Sequence, residues 1–324
     1  MSCSIEKNQM PFFKQIFPEI ATKGARYNKI EDRIEIRGSI NDVKIYAIYD
    51  GHGGSQVSEE LSKGFARWLQ RMLAAVDPNN TGLIRKIIRA AFIIKDKQIH
   101  DARKRRPEYD PGSTAVMAIY FAKTNRLFFA HSGDSRAVLF KVNRKKMPDG
   151  STQVTLSEVF STKDHKPSDP IEEARIKKAG GYVTKASRAS VERVDGNLAV
   201  SRSFGDFHLK QNKDIDYDPI RGKVSVKPDI HFVTLVPGVE YRLFLASDGL
   251  WDEMTNRQLA SMANSAMILN PELGKDLIRY ARKKGGDDDI SIIGVAIKLP
   301  VTQKKRAASK PKAKTNRRSN SKAK

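Results

Sequence analysis

Val43 to Tyr49 reads VKIYAIY, and it runs without a break into Asp50-Gly51-His52-Gly53-Gly54. A short apolar run that stops at a glycine-rich turn is the pattern of a strand buried on both faces. Residues 56–76 then carry Leu61, Phe65, Leu69 and Leu73 four apart, which predicts an amphipathic helix. The same strand pattern returns at 115–121, 126–130, 137–142, 241–246 and 290–297, with short turns between neighbours. Helical patterns return at 82–104, 170–179, 257–267 and 271–284. Asp77, Pro78, Asn79 and Asn80 separate the first two helices. The helix at Pro170 has a well-marked start: Asp169 as cap, proline at the first helical position and Glu172 to close a capping box. Gly180 and Gly181 end it. Runs of strands set apart from helix pairs predict an α+β fold in layers, not a parallel βαβ sheet. Between 187 and 226 the periodicity breaks down, as in an elaborated loop or small subdomain. No internal repeat is present.

The 324 residues, 39% of them hydrophobic, are enough for a sizeable core, and composition excludes collagen-like, disulfide-scaffold and wholly disordered chains. Cys3 is the one cysteine, so no intrachain disulfide can form. No uncharged apolar run is long enough to span a membrane, and MSCSIEKNQM lacks the apolar centre of a signal peptide. The expectation is an intracellular protein of the cytoplasm, the nucleus or both. The net charge is +22, and ten of those charges are the basic residues from Lys304 to Lys324, where no acidic residue occurs. Removing them leaves +12 on the first 300 residues. Residues 300–324 bury too little to offset their ordering entropy and read as a disordered tail, suited to nuclear import, nucleic acid or another polyanion. A solvated tail without a partner is the plain alternative.

Three acidic sites share one setting, an apolar strand with aspartate at one end. They are Asp50 after VKIYAIY, Asp248 after YRLFLAS, and the Asp287-Asp288-Asp289 cluster before ISIIGVAI; Asp134 follows RLFFAHSG in the same way. Strand ends fix a side chain's position, and gathered carboxylates repel one another unless a cation sits among them. Oxygen ligands without a cysteine cluster suit Mg²⁺ or Mn²⁺ and not structural zinc. Two such ions sharing a carboxylate would activate a water for attack on phosphorus. An ordinary Asp-Gly turn accounts for each site taken singly. His52, one residue past Asp50-Gly51, is a candidate general acid, with a loop histidine or a metal ligand as alternatives.

DGHGG (50–54), GSTAV (112–116), SGDSRAVL (132–139), DHKP (164–167), LAVSRSFGD (198–206), SDGLWD (247–252) and DDIS (288–291) occur in that order. Together they resemble the protein phosphatase 2C family of metal-dependent Ser/Thr phosphatases, over roughly residues 20–298. The resemblance implies a central β-sandwich of two antiparallel sheets flanked by pairs of antiparallel helices. It implies a catalytic domain over 20–299, with an extension over 1–19, the tail over 300–324 and a flap at about 187–226. It implies hydrolysis of phosphoserine and phosphothreonine in proteins by a hydroxide bridging two divalent metals, Mg²⁺ or Mn²⁺, with a weaker third. By position, Asp50 resembles the ligand shared by both metals, and Gly51 the residue offering a backbone carbonyl. Asp248 and Asp288 resemble further ligands, with Asp289 in the usual asparagine place. Glu31 resembles the acid that holds the second metal through water, with Asp32 beside it. Asp134 and Asp252 match the weaker third site, and His52 the general acid.

The family's phosphate-gripping arginine stands four residues before the glutamate, where this chain has Tyr27. Arg26 is one position further out and is the first choice for phosphate binding, ahead of Arg33 and Arg37. Arg188 and Arg193 in the flap could steer acidic substrates. Phosphoproteins are the expected substrates, and a monomer is the expected state. A phosphatase-like scaffold that only binds, and a metal-dependent nuclease, are the competing functions.

Overall fold

The computed structural model describes residues 12–25, 29–103, 110–185, 191–211, 217–264 and 270–301. Two antiparallel sheets lie at its centre. One has the order Asp229–Thr234, Arg126–Ser132, Ala115–Phe121, Val43–Tyr49, Arg33–Ile40. The other runs Phe12–Gln15, Ile290–Lys298, Glu240–Ala246, Arg136–Lys146, Thr152–Ser161, with Ile20–Thr22 also paired to Ile290–Lys298.

Period-two alternation explains how each strand serves two cores. Tyr46 and Ile48 face inward with Val116, Ala118, Leu127 and Phe129, and meet Leu139, Leu243, Leu245, Ile293 and Val295 from the opposite sheet. The intervening Ile45, Ala47 and Tyr49 face outward, onto Leu61, Phe65, Leu69, Ile88 and Phe92 of the helices Gln56–Ser62, Phe65–Ala74 and Thr81–Arg103. On the other side Val138, Phe140, Phe244 and Ile292 pack under Asp248–Trp251, Asn256–Met262 and Leu273–Lys284. Both sheets are therefore covered on both faces, which is why their central strands are continuous apolar runs. The result is the α+β sandwich expected from the sequence.

Three differences from the sequence reading have physical causes. The helix expected over 56–76 is two helices, Gln56–Ser62 and Phe65–Ala74, divided at Lys63-Gly64. The second start is held by a remote group: Glu35 accepts from Ala66 N at 3.1 Å and Arg67 N at 3.3 Å, and from Tyr49 Oη at 2.9 Å. Asp169 caps Pro170–Lys178 as expected, accepting from Ile171 N, but Glu172 turns away from the helix end. Its carboxylate instead takes Arg202 at 2.6 Å, Arg175 at 2.8 Å and Ser201 Oγ at 2.9 Å. Arg33–Ile40, Thr152–Ser161 and Asp229–Thr234 are strands that the apolar pattern did not mark; all three lie at sheet edges, where alternate residues meet solvent.

In the stretch 187–226, Val194, Leu209 and Val224 cluster with Ile176 and so tie described residues of that stretch to the Pro170–Lys178 helix. Residues 302–324, 1–11 and Arg188 lie outside the described residues. Among the described residues, no helix is long and apolar enough to cross a membrane.

Candidate metal centre

Asp50 ends the Val43–Tyr49 strand, Asp248 follows Glu240–Ala246, and Asp134 lies in the turn between Arg126–Ser132 and Arg136–Lys146. The strands deliver them to one end of the sandwich. Each of the three offers a carboxylate oxygen, and these oxygens all lie within 4.8 Å of one another. Burial, then the charges of Asp248, Asp32, Asp134 and Asp288, holds the Asp50 carboxyl well above the usual range. Burial, with Asp134, Asp252 and Asp288, does the same to Asp248. Such shifts record charge without compensation.

The residues present fit a hard cation. Asp134 Oδ1 and Glu31 Oε2 are buried and make no hydrogen bond, the state of ligand atoms awaiting a partner. Burial raises the Glu31 carboxyl, and Asp289 and Asp288 add to the effect. Asp32 is buried deeper, accepts from Ser247 Oγ at 2.8 Å, and is raised to about 7 by burial and by Asp289 and Asp288.

The two adjacent acids at 288 and 289 divide their labour. Asp289 is the fastener: it accepts from Gly24 N at 2.7 Å and Glu31 N at 2.6 Å, and so draws the loop bearing Glu31 to the strand end. Asp288 caps locally, with its Oδ1 accepting from Asp289 N at 2.8 Å. Asp288 and Glu31 lie outside the tight trio, and Asp288 acts on Asp50 and Asp248 through its charge. Gly249 lets the Asp248 turn reach this segment, since a Cβ there would fall 2.0 Å from Asp289 O. Gly51 is buried at the start of the Gly51–His52 strand.

Asp134 and Asp252 flank a lysine that the sequence reading passed over within DHKP. Lys166 Nζ is 2.6 Å from Asp134 Oδ2 and 3.6 Å from Asp252 Oδ1. Burial opposes its charge, but those two aspartates outweigh it and raise the ammonium above its ordinary value. The region assigned to a weaker third metal thus already contains a cation from the chain itself.

His52 Nε2 lies 2.8 Å from Asp206 Oδ2. Burial disfavours the imidazolium, yet Asp206, aided by Asp134 and Glu31, raises its pKa. Arg26 and Tyr27 lie outside the described residues. The two alternatives to Arg26 are committed elsewhere. Arg33 bonds Glu59 Oε1 at 2.6 Å and the carbonyls of Ile30 and Asp32, while Arg37 bonds Glu35 at 2.7 Å. Arg193 donates to Asn197 O at 2.6 Å.

His131, His165 and Asp229 also bring ligand atoms within 4.8 Å of one another. The contacts of His165 and Asp229 oppose a cation. Gly133 N donates to His165 Nδ1 at 3.1 Å, which places the proton of the neutral ring on Nε2, facing Asp229 at 3.3 Å. A histidine that ligates through Nε2 carries its proton on Nδ1. Arg202 already holds Asp229 Oδ1 at 2.8 Å, so Asp229 and His165 are engaged within the chain, while His131 Nδ1 is buried without a hydrogen bond.

The protein phosphatase 2C family model matches residues 24–290. Protein phosphatase 1A of Bos taurus is 31% identical over 261 residues, covering 76% of this chain and 61% of that protein. Protein phosphatase 1B of Rattus norvegicus is 29% identical over 277 residues, covering 80% and 64%. The chain therefore spans less than two thirds of the length of these curated relatives. Among solved structures, a serine-threonine phosphatase 2C from Toxoplasma gondii superposes with a TM-score of 0.67 at 21% identity, covering 89% of this chain and 99% of that one. A Caenorhabditis elegans sex determining protein gives 0.67 at 23%, covering 91% and 66%. Likeness at that identity speaks for the fold. With the matched span, the ordered motifs and the gathered carboxylates in agreement, the chain belongs to the protein phosphatase 2C family.

Proposed function

We propose that this protein hydrolyses phosphoserine and phosphothreonine esters in proteins, using two hard divalent cations. The observation that carries the reading is the trio Asp50, Asp134 and Asp248, delivered from separate strand ends to within 4.8 Å, with a buried Asp134 oxygen that has no partner. Asp50 and Asp248, with Asp288 and Glu31 nearby in charge, would hold Mg²⁺ or Mn²⁺. When bound, the ions supply a hydroxide nucleophile at neutral pH and offset the charge of the phosphoryl oxygens.

The chain's own groups do the rest. The aspartates fix where the phosphate can sit, because their strands are locked into a doubly covered sandwich. An arginine must grip the phosphate, and Arg26 is the choice, since Arg33 and Arg37 are engaged with Glu59 and Glu35. His52 protonates the leaving oxygen as the P–O bond breaks, and it regains the proton from water. No covalent phospho-enzyme is needed, so Cys3 has no part.

Asp50→Ala and Asp248→Ala should each abolish Mn²⁺-dependent release of phosphate from a phosphothreonine peptide. Full activity in either variant, or in the unaltered protein under excess chelator, would overturn the reading. Parallel incubation with plasmid and Mn²⁺ separates a nuclease, and inactivity towards both substrates separates a binding scaffold.

A further inference from the structure

Three two-residue strands, absent from the sequence reading, form a small sheet beside the metal centre. Gly112–Ser113 is the middle strand, with Gly51–His52 on one side and Phe204–Gly205 on the other. The registers pair His52 with Gly112 and Gly112 with Gly205, so a chain segment more than 150 residues away is brought level with His52. Asp206, the next residue, is buried and takes the left-handed conformation at φ +50, which is costly for a residue with a side chain.

Asp206 and the residues after it are held from three directions. Asp110 accepts from Phe207 N at 2.9 Å and His208 N at 2.8 Å. Asp206 O accepts from Leu209 N at 3.0 Å. Ser203 Oγ donates to the same Asp206 oxygen that meets His52. Space is equally constrained. A Cβ on Gly112 would fall 2.1 Å from Asp206 Oδ2 and 2.2 Å from His52 Nε2, so the dyad fits only because residue 112 has no side chain.

We infer that Asp206 is a positioning residue for His52: its carboxylate accepts the Nε2 proton, fixes the ring, and leaves Nδ1 as the nitrogen that delivers a proton to the leaving oxygen. A carboxylate only accepts, so the proton must lie on Nε2, and the ring can exchange a second proton solely at Nδ1. The bookkeeping is that of His52 alone. The Nδ1 proton passes to the leaving oxygen as the P–O electron pair moves onto it, and Asp206 keeps its charge throughout. The inference rests on the proposed role of His52, and its test distinguishes failure of one from failure of the other.

General acid help matters for a poor leaving group such as the threonine side chain and little for para-nitrophenolate. Asp206→Ala should therefore lower kcat on a phosphothreonine peptide about 10- to 100-fold, with KM changed less than threefold. The loss on para-nitrophenyl phosphate should be at least tenfold smaller. Combined with His52→Gln, it should add no further loss. Asp206→Asn, which tolerates the left-handed backbone, should show the same pattern more weakly and decides the matter if the alanine variant fails to fold. In the chelated protein, long-range ¹H–¹⁵N spectra taken above the titration of His52 should show its proton on Nε2, and a mixture of tautomers in Asp206→Asn. Multiplicative losses with His52→Gln, equal losses on both substrates, or a neutral His52 protonated on Nδ1 would overturn the role of Asp206. If His52→Gln itself shows no dependence on leaving group, the general acid is wrong and the inference falls with it.

Discussion

Lys166 sits where carboxylates from two different loops face each other, with Asp134 at 2.6 Å and Asp252 at 3.6 Å. An ammonium there offsets part of the repulsion before any metal arrives. Lys166→Ala should therefore lower the melting temperature of the chelated protein by about 2–4 °C for each kcal/mol lost. It should also enlarge the stabilisation gained from Mn²⁺, because two carboxylates are released for the ion. Thermal unfolding with and without Mn²⁺ checks this; an unchanged Mn²⁺ increment would count against it. Asp50, Asp134 and Asp248 were legible in the sequence because an apolar strand fixes where its last residue points. The contacts of Lys166, Asp206 and Asp289 were not. Their partners lie 32, 154 and 265 residues away, and only the closed sandwich brings them together.

Among the elements, those with two buried faces announced themselves and those with one did not. VKIYAIY and AVMAIYF are continuous because helices cover one face and a sheet the other. RIEIRGSI and TQVTLSEVFS are edge strands, and charged and hydroxyl side chains on their open faces break the apolar pattern. The break at Lys63-Gly64 was hidden for another reason, because Glu35, which caps the second helix, belongs to a strand almost thirty residues earlier.

Residues 203–210 show how one helix holds a distant segment. Lys210 and Asp96 are both fully buried and paired at 2.8 Å; Lys210 also donates to Ser203 O, while Asp96 accepts from Gly205 N and Tyr217 Oη. This pair ties residues 203–210 to the Thr81–Arg103 helix. Lys210→Met leaves a buried carboxylate without its cation and should cost about 3–5 kcal/mol. Adding Asp96→Leu should recover part of that loss, because the unpaired charge is then gone. Urea unfolding of the single and double variants measures both; a double variant as unstable as the sum of its singles would contradict the account.

At the scale of the molecule, the carboxylate end makes stability depend on pH. Asp50, Asp248, Asp32 and Glu31 all have folded pKa values raised above their unfolded ones, Asp32 to about 7. The native state thus holds protons that the unfolded chain has released, so stability is present at low pH and is lost as pH rises through the folded values. Glu172 has the opposite sign. Burial alone would raise it, but Arg202 and Arg175 bring it down to about 2, so its contribution disappears only as pH falls from about 4.5 towards 2. His131, held down to about 3 by burial, also gains stability as pH rises to its ordinary value of 6.5, so the acidic cluster acts without either interference only between about pH 7 and 9. The melting temperature of the chelated protein should fall across this range, and saturating Mn²⁺ should flatten the profile. A chelated protein equally stable at about pH 7 and pH 9 would refute it.

The Ile290–Lys298 strand begins beside Asp288 and Asp289 and runs antiparallel along the full length of Glu240–Ala246. At about 3.3 Å per residue it ends roughly 25–30 Å from the carboxylates. There Leu299 O accepts from Gly238 N at 2.9 Å, and the described chain reaches Val301. The point of attachment for the basic run and the mouth of the metal centre are opposite poles of one body. A polyanion held close to Val301 would meet the molecule at its base and leave the carboxylate end turned outward.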